Sequence, residues 1–409
     1  MNLAHFAPKR SPGSRADRIR QCCNPGQHVV PPSSTPYPQQ ACSLPGWRTR
    51  QAWYGSCIAR KSSGEETQVT FTYDGSALRL RGVPDIASAI AGGSPPLDAS
   101  SALSIFHEPW WLDIATDGQW KSARVVHGNQ VLGELPYHVT RKGIWRVCGL
   151  PPLTRTLGPA ILPMGLDAAH ELRYRLQVTS RLIEQLPSVE SFSQLFDYHV
   201  KDALAFALHG FTVSARYTLQ ISPLCRASEV WTRMDSKTRN AIRSARKALE
   251  VVPIDDTSEF LRFYESNLAS RSRRNAYGSA IMGALVNAFV ERRAGCLLGA
   301  YEHARLVGAI GLVWDRHTMY YLISTRTPGA HSGTISLLLW TAVQEAIRRE
   351  LTFDFDGFGN ASTFHFLNGF GAALKQRLRV ERMSTAYAVV RTLKRGVMTK
   401  TNQTFAPNL

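Results

Sequence analysis

Residues 296–357 read CLLGAYEHARLVGAIGLVWDRHTMYYLISTRTPGAHSGTISLLLWTAVQEAIRRELTFDFDG. Three apolar runs, 296–301, 306–314 and 318–324, are separated by short polar breaks, which predicts consecutive antiparallel strands. From 332 to 349 the apolar residues recur at helical spacing, and Arg348-Arg349 closes the run as a helix C-terminus should. Phe353-Asp-Phe-Asp-Gly357 then reads as a short strand ending on a glycine. Three strands, a helix and a fourth strand define an α/β layer, and the rest of the chain extends it.

Downstream, 362–367 predicts a short helix, Gly369-Phe370-Gly371 a turn, and 375–381 an alternating strand. Upstream, Trp231, Met234, Thr238, Ile242, Ala245 and Leu249 recur at three and four residues and predict one helix over 228–249, with Arg233, Lys237, Arg239, Arg243, Arg246 and Lys247 on its other faces. Asp256 or Thr257 can cap a further helix carrying Phe260, Leu261, Tyr264 and Leu268, and 278–293 reads as another. An earlier stretch repeats the theme more loosely. Phe106-His-Glu-Pro-Trp-Trp-Leu112 opens a helix, 122–127 and 131–139 flank a turn at Gly128-Asn129-Gln130, a Pro-rich connector runs from Leu150 to Thr154, 167–185 is helical, and short strands lie at 191–199 and 211–221. Leu132-Gly133 in the first half echoes Val307-Gly308 in the second.

Residues 1–101 differ from all this. Pro31-Pro32, Pro36, Pro38, Gly92-Gly93 and Pro95-Pro96 interrupt any periodicity, apart from one alternating piece at 69–80 that could make a hairpin, so the stretch reads as a disordered leader or a mis-assigned start. The expected division is 1–101 leader, 102–227 first half, 228–395 second half and 396–409 flexible tail.

Of the 409 residues, 44% are hydrophobic and 19% charged, an ordinary globular balance. No apolar run reaches the roughly 20 residues that span a bilayer, and no secretory core opens the chain, so a cytoplasmic protein is expected. Seven scattered cysteines form no CxxC pair and no metal-ligand spacing, which predicts free thiols and no metal. The net charge of +17 suits phosphate-bearing partners, and equally suits solvated Arg-rich faces. No G-x-S-x-G elbow and no Cys–His pairing calls for a covalent nucleophile.

The order of elements resembles the GNAT fold, and several strings resemble the FemAB-type amine N-acyltransferases. Trp231 to Lys247 is similar to their W…K.R..I.KA.K helix, Phe353-Asp-Phe-Asp-Gly357 to their (F/Y)DF-x-G strand, and Phe366-Leu-Asn-Gly-Phe-Gly371 to their FK-x-GFG signature, with Leu367 and Asn368 in the lysine region. Pro109-Trp-Trp-Leu112 and Gly210 to Thr218 fit the first half of the family. The resemblance covers roughly 290 residues. It implies an α/β (α+β) chain of two tandem GNAT-like domains, each a mixed, largely antiparallel central sheet flanked by helices. It also implies transfer of an acyl group to an amine by direct attack in a ternary complex. The donor is expected to be an acyl-CoA, with acetyl-CoA as co-substrate, or alternatively an aminoacyl-tRNA. The acceptor is expected to be an amino-sugar or peptidoglycan precursor, with a transient visit to the inner membrane surface admitted. A catalytically empty scaffold binding an anionic glycan or nucleic acid is the reading of another class.

In GNAT-like sheets the donor's phosphates lie at the turn after the splayed strand, here 324–336. Arg326 offers a phosphate fork, Gly329 and Gly333 a close backbone, and Ser332 and Thr334 a helix N-terminus. Asp354 and Asp356, two apart on a strand, share a face and could act as general base or hold the incoming ammonium, while Asp356 could instead secure the turn before Gly357. His365 is the other candidate base. Arg239 and Arg243, four apart on the basic helix, are the candidate contacts to an anionic substrate. Phe370 and Gly371 either pack the closing helix or border the substrate.

Overall fold

A computed structural model describes residues 55–60, 66–71 and 104–399, with side chains described from 104 to 393. In the unit ending at Val83, β1 (Gly55–Arg60) and β2 (Glu66–Phe71) pair antiparallel, Gly55 opposite Phe71. The hairpin expected at 69–80 meets this pair only at 69–71. The rest of that piece, and most of the stretch read as a leader, lies outside the described residues.

The larger unit opens with α1 (Pro109–Thr116), β3 (Trp120–His127), β4 (Gln130–Lys142), β5 (Trp145–Gly149) and β6 (Ala160–Ile161). It continues with α2 (Ala168–Glu184), β7 (Ser191–Leu195), α3 (Leu204–Leu208) and β8 (Thr212–Ile221). The second half begins with α4 (Ala227–Arg233), α5 (Ser236–Ala248), β9 (Glu250–Pro253), α6 (Thr257–Ala269) and α7 (Ser279–Glu291). Then come β10 (Gly295–Glu302), β11 (Arg305–Trp314), β12 (Thr318–Arg326), α8 (Thr334–Arg348), β13 (Thr352–Asp354), α9 (Ala361–Asn368), β14 (Ala373–Met383) and α10 (Thr385–Thr399).

All the strands of this unit join one mixed sheet, ordered β3-β4-β5-β7-β14-β8-β13-β12-β11-β10-β9, with β6 against β4. The two halves therefore share a sheet. β14, last in sequence, lies between β7 and β8 of the first half, with Arg379 opposite Leu195 on one side and Ser214 on the other. β8 in turn pairs with β13, Ile221 opposite Phe353. The echo between the halves has a steric meaning. A Cβ on Gly133 would sit 2.5 Å from Val178 of α2, and one on Gly308 would sit 2.4 Å from Thr334 of α8. Each glycine lets a helix close onto its strand.

β10, β11 and β12 are buried on both faces, which accounts for their near-continuous apolar sequence. Leu219, Ile242, Phe353 and Phe370 belong to the core under α5 and α8. Phe106, Trp111, Phe260 and Tyr320 form a second core on the other face, and Val178, Phe192 and Phe206 fill a third in the first half.

The predicted helix over 228–249 is two helices. Gly369 explains the break: its carbonyl accepts from Asp235 N at 2.9 Å, and a Cβ there would meet Thr238 Oγ1 at 2.4 Å. The apolar stripe survives, because Val230, Met234, Ile242, Ala245 and Leu249 are all buried. Asp256 caps α6 by accepting from Ser258 N at 2.8 Å.

One feature positions the site. β12 and β13 run parallel from Thr318 opposite Thr352 to Tyr320 opposite Asp354, and then part. β12 continues to Arg326, while Asp356 (φ 60°) and Gly357 (φ 78°) turn the other chain away.

Candidate active site

Where the two strands part, four charged side chains are buried together. Asp354, with no exposed surface, receives Thr218 Oγ1 at 2.6 Å and Asp356 N at 2.7 Å on Oδ1. Its Oδ2 receives Gln220 Nε2 at 2.7 Å and Arg377 Nη2 at 2.9 Å. Thr218 Oγ1 also accepts from Gly357 N at 2.9 Å, so it locks the turn onto β8. Arg377, 2% exposed, reaches Asp356 Oδ1 at 3.3 Å with Nη1. A single guanidinium thus bridges both carboxylates, which is the geometry that lets buried charges persist.

Asp356 has a second arginine, and it comes from the first half. Arg155 Nε lies 2.6 Å from Asp356 Oδ2, and its Nη2 donates to the Leu322 carbonyl on the open edge of β12. Its Nη1 lies 3.3 Å from Tyr277 Oη. The connector carrying Arg155 is held by the aromatic segment that opens the first half. Trp111 Nε1 donates to Thr154 Oγ1 at 3.0 Å, His107 Nε2 lies 3.3 Å from the Gly158 carbonyl, and Ser104 Oγ lies 3.5 Å from Thr156 Oγ1. Burial lowers the basicity of His107, in keeping with a structural part.

The electrostatics single out Asp356. Burial raises its pKa to about 6, against the pull of Arg155 and Arg377 and with the help of Asp354. Burial also works against the charge on both arginines, but the aspartates beside them more than restore it. Burial lifts Tyr264, whose neighbours are Tyr277 and Arg155, to about 12, and lifts Tyr321 as well. Tyr321 Oη donates to Ser324 Oγ at 2.5 Å. The site therefore holds a carboxylate that changes protonation near neutral pH, a cationic fork and neutral phenols. That set can take a proton from an amine and stabilise negative charge on a carbonyl oxygen. Asp356 adopts a left-handed backbone that a non-glycine residue rarely takes, and such strain gathers at functional sites.

The expected site residues divide. Arg377 joins Asp354 and Asp356; Asp354 is held by four donors, whereas Asp356 is held by the two arginines. His365 is on the exposed side of α9, against the Phe364 ring at 5.5 Å, and bonds neither carboxylate. Arg239 is taken up within the fold: Nη1 donates to the carbonyls of Thr232 at 3.1 Å and Met234, closing the end of α4. Arg243 stands over the Trp231 ring at 5.4 Å and touches Asn240. Phe370 is wholly buried beside Phe355, and Gly371 (φ 68°) sits where a Cβ would strike the Arg233 backbone at 2.9 Å, so both pack.

The donor turn also divides. A Cβ on Gly333 would lie 2.3 Å from the Ala241 carbonyl, so its smallness serves α5. His331 caps α8: its Nδ1 accepts from Gly333 N at 3.0 Å, and its carbonyl accepts from Thr334 N and Oγ1. Thr334 is wholly buried, while Gly329 (φ 82°) and Ser332 are exposed. The backbone cradle expected at this turn is largely engaged within the protein. Arg326 remains exposed, and Arg271 Nη2 donates to its carbonyl at 2.7 Å. Arg273 and Arg274 are exposed on the same loop as Arg271, and none of the four has a carboxylate partner among the described residues. Four exposed arginines thus stand at this turn and the neighbouring loop, while much of the glycine turn packs within the protein.

Sequence reasoning missed Arg155 and Arg377. Arg155 lies in a connector with no periodicity, where nothing local announces a buried charge. Arg377 had a faint signal, since Arg377 and Arg379 alternate with the buried-face residues Leu378 and Val380 along a strand whose second face was never assigned a cover.

Among known proteins, the likeness in fold is to FemX, and part of the second half matches a family model. Residues 236–364 match the acetyltransferase (GNAT) domain family. No curated protein matches the sequence. Among solved structures the chain is similar to FemX, at 12% identity and a TM-score of 0.51, covering 72% of this chain and 94% of that one. It is also similar to the C-terminal DUF2156 domain of a putative lysylphosphatidylglycerol synthetase from Agrobacterium fabrum (11% identity, TM-score 0.45, covering 71% and 92%). A tandem GNAT protein from the clavulanic acid biosynthesis pathway matches at 12% identity and a TM-score of 0.38, covering 65% and 83%.

Proposed function

We propose that this acyltransferase, GNAT in its second half and FemAB-like in fold, passes an acyl group from a phosphate-bearing donor to an amine where β12 and β13 part. The attack is direct, within a ternary complex. The reading rests above all on Asp356, a buried carboxylate at about 6, set in a strained turn beside an arginine from the other half. An attacking amine must be neutral, and a base whose pKa lies near the working pH contributes typically about 10²–10⁴ in rate. Asp356 takes the amine's proton as the C–N bond forms, and Arg155 stabilises the carbonyl oxygen. The donor's thiolate or ribose oxygen departs with that proton as its bond to the acyl carbon breaks, and Arg377 with Asp354 keeps Asp356 in place. Arg326 and Arg271, with Arg273 and Arg274, would hold the donor's phosphates, and the donor supplies the activated acyl group.

An acyl-CoA is the first candidate donor and an amine on a sugar or cell-envelope precursor the acceptor. One observation favours an aminoacyl ester such as aminoacyl-tRNA instead. A buried carboxylate complements an acyl group that carries its own ammonium, a contact that a plain acetyl group does not make.

The test combines melting and turnover. A donor at a hundred times its Kd stabilises the fold by about 2.7 kcal/mol, so melts with acetyl-CoA, longer acyl-CoAs and aminoacyl-tRNA identify it. Joint Arg271→Ala and Arg326→Ala substitution should remove that shift. Asp356→Asn should keep the shift and lose about a hundredfold or more in turnover. In the unsubstituted chain, turnover should fall as pH drops through about 6. Full turnover in the Asp356→Asn chain would sink the assignment.

A further inference from the structure

The last helix turns an apolar stripe outward. On α10, Val389 and Leu393, four residues apart, are 54% and 65% exposed. The opposite side does the packing: Tyr387 stands edge-on to Trp145 at 5.7 Å, and Arg391 lies 3.7 Å from Glu381. An amphipathic helix ordinarily buries its apolar side against the core. At the same end of the sheet is the tip of the β4–β5 hairpin, where Ile144 is 85% exposed. Glu190 ties the two together. Its N–H donates to the Arg146 carbonyl at 3.0 Å, its carbonyl accepts from Ser384 N at 2.8 Å, and its side chain accepts from Arg146 N at 2.7 Å.

Cations flank Ile144 at the hairpin tip. Arg141 and Arg146 face each other across the ladder, Lys142 is next to them, and all three are exposed. Neither arginine has a carboxylate partner among the described residues. Like charges directly opposite on a ladder repel, and an anion above them offsets the repulsion.

We propose that this end of the molecule docks onto an anionic lipid bilayer, with Ile144, Val389 and Leu393 entering the headgroup boundary and Arg141, Lys142 and Arg146 resting on lipid phosphates. Apolar points flanked by lysine and arginine are the pattern of a surface that lies on a membrane. No helix among the described residues is long and apolar enough to cross one. The inference is independent of the acyl-transfer reading.

Sedimentation of the full chain with vesicles tests it. Vesicles of phosphatidylcholine mixed with phosphatidylglycerol should retain the protein, pure phosphatidylcholine should not, and added salt should weaken binding. Arg141→Glu should cost about fivefold or more in vesicle affinity, and Ile144→Asp with Leu393→Asp about tenfold or more. Both variants should keep the melting temperature and turnover of the parent. Equal retention by both vesicle types, no retention, or anionic binding that ignores these substitutions would overturn the proposal. So would a dimer of the free chain that the same substitutions dissociate without any vesicle binding, since a second copy would then be the occupant.

Discussion

Arg377 is the counter-charge that the site's two carboxylates share. It neutralises Asp354 and Asp356 at once, in a place almost without solvent. Arg377→Met should therefore cost about 3–5 kcal/mol, because two buried carboxylates lose a counter-charge. A urea unfolding midpoint measures it, and a loss under about 1 kcal/mol would mean that water reaches the cluster. Asp356 makes the opposite kind of contribution. Its pKa is about 6 in the folded chain against an ordinary 3.8, so the unfolded chain releases this proton first. The stability it confers is whole below the lower value and is lost as pH rises through the higher, a slope of about 3 kcal/mol in all. Asp356→Asn should flatten that slope while removing turnover. The proposed base is thus held at the expense of neutral-pH stability, and Arg377 limits the loss.

At the scale of elements, the seating of α8 on α5 decides what the donor turn can do. Gly333→Ala should push a methyl into the Ala241 carbonyl and lower stability by about 1–3 kcal/mol with no donor present. Calorimetry of the free protein checks this, and an unchanged melt would return Gly333 to the ligand. From sequence the turn reads as an anion cradle, since Gly, Ser and Thr before a helix suit a phosphate and a neighbouring helix alike. Only the packing partner separates the two uses, and Ala241 is 92 positions away in the chain. The break between α4 and α5 has the same origin. Its apolar stripe runs unbroken through Met234 and is legible as a helix, while the carbonyl that interrupts it belongs to Gly369. Arg239, read as a free cation, folds back onto α4 because that break leaves carbonyls to satisfy.

For the molecule as a whole, the path of β14 matters most. The final strand completes the first half between β7 and β8, and β8 borders β13 of the second. Expressed alone, 104–227 and 228–399 should each fail to fold, the first lacking a central strand and the second losing the cover on β13. Circular dichroism and melting of the separate and co-expressed pieces check this, and a cooperative melt for either piece alone would show that the shared sheet is dispensable. The active site gains from the same path. Arg155 comes from the first half, Asp356 from the second and Arg377 from the strand that joins them, so folding and site assembly are one event.

What the sequence by itself determined is the kind of layer and the order of its elements. Three short apolar runs between polar breaks mark β10 to β12, a period near four marks α8, and local turn and cap chemistry bounds them. Asp354 and Asp356 stood out as a pair from sequence, but β13 ends at Asp354, and the turn at Asp356 (φ 60°) with Arg377 between them brings the two carboxylates together. What only the tertiary structure decided is how each of the two is bonded, where Arg155 and Arg377 meet them, and that two halves share one sheet. Those outcomes depend on contacts between residues up to about 220 positions apart. Burial, and with it the protonation of a carboxylate, is set by what covers a residue, and no local pattern records that.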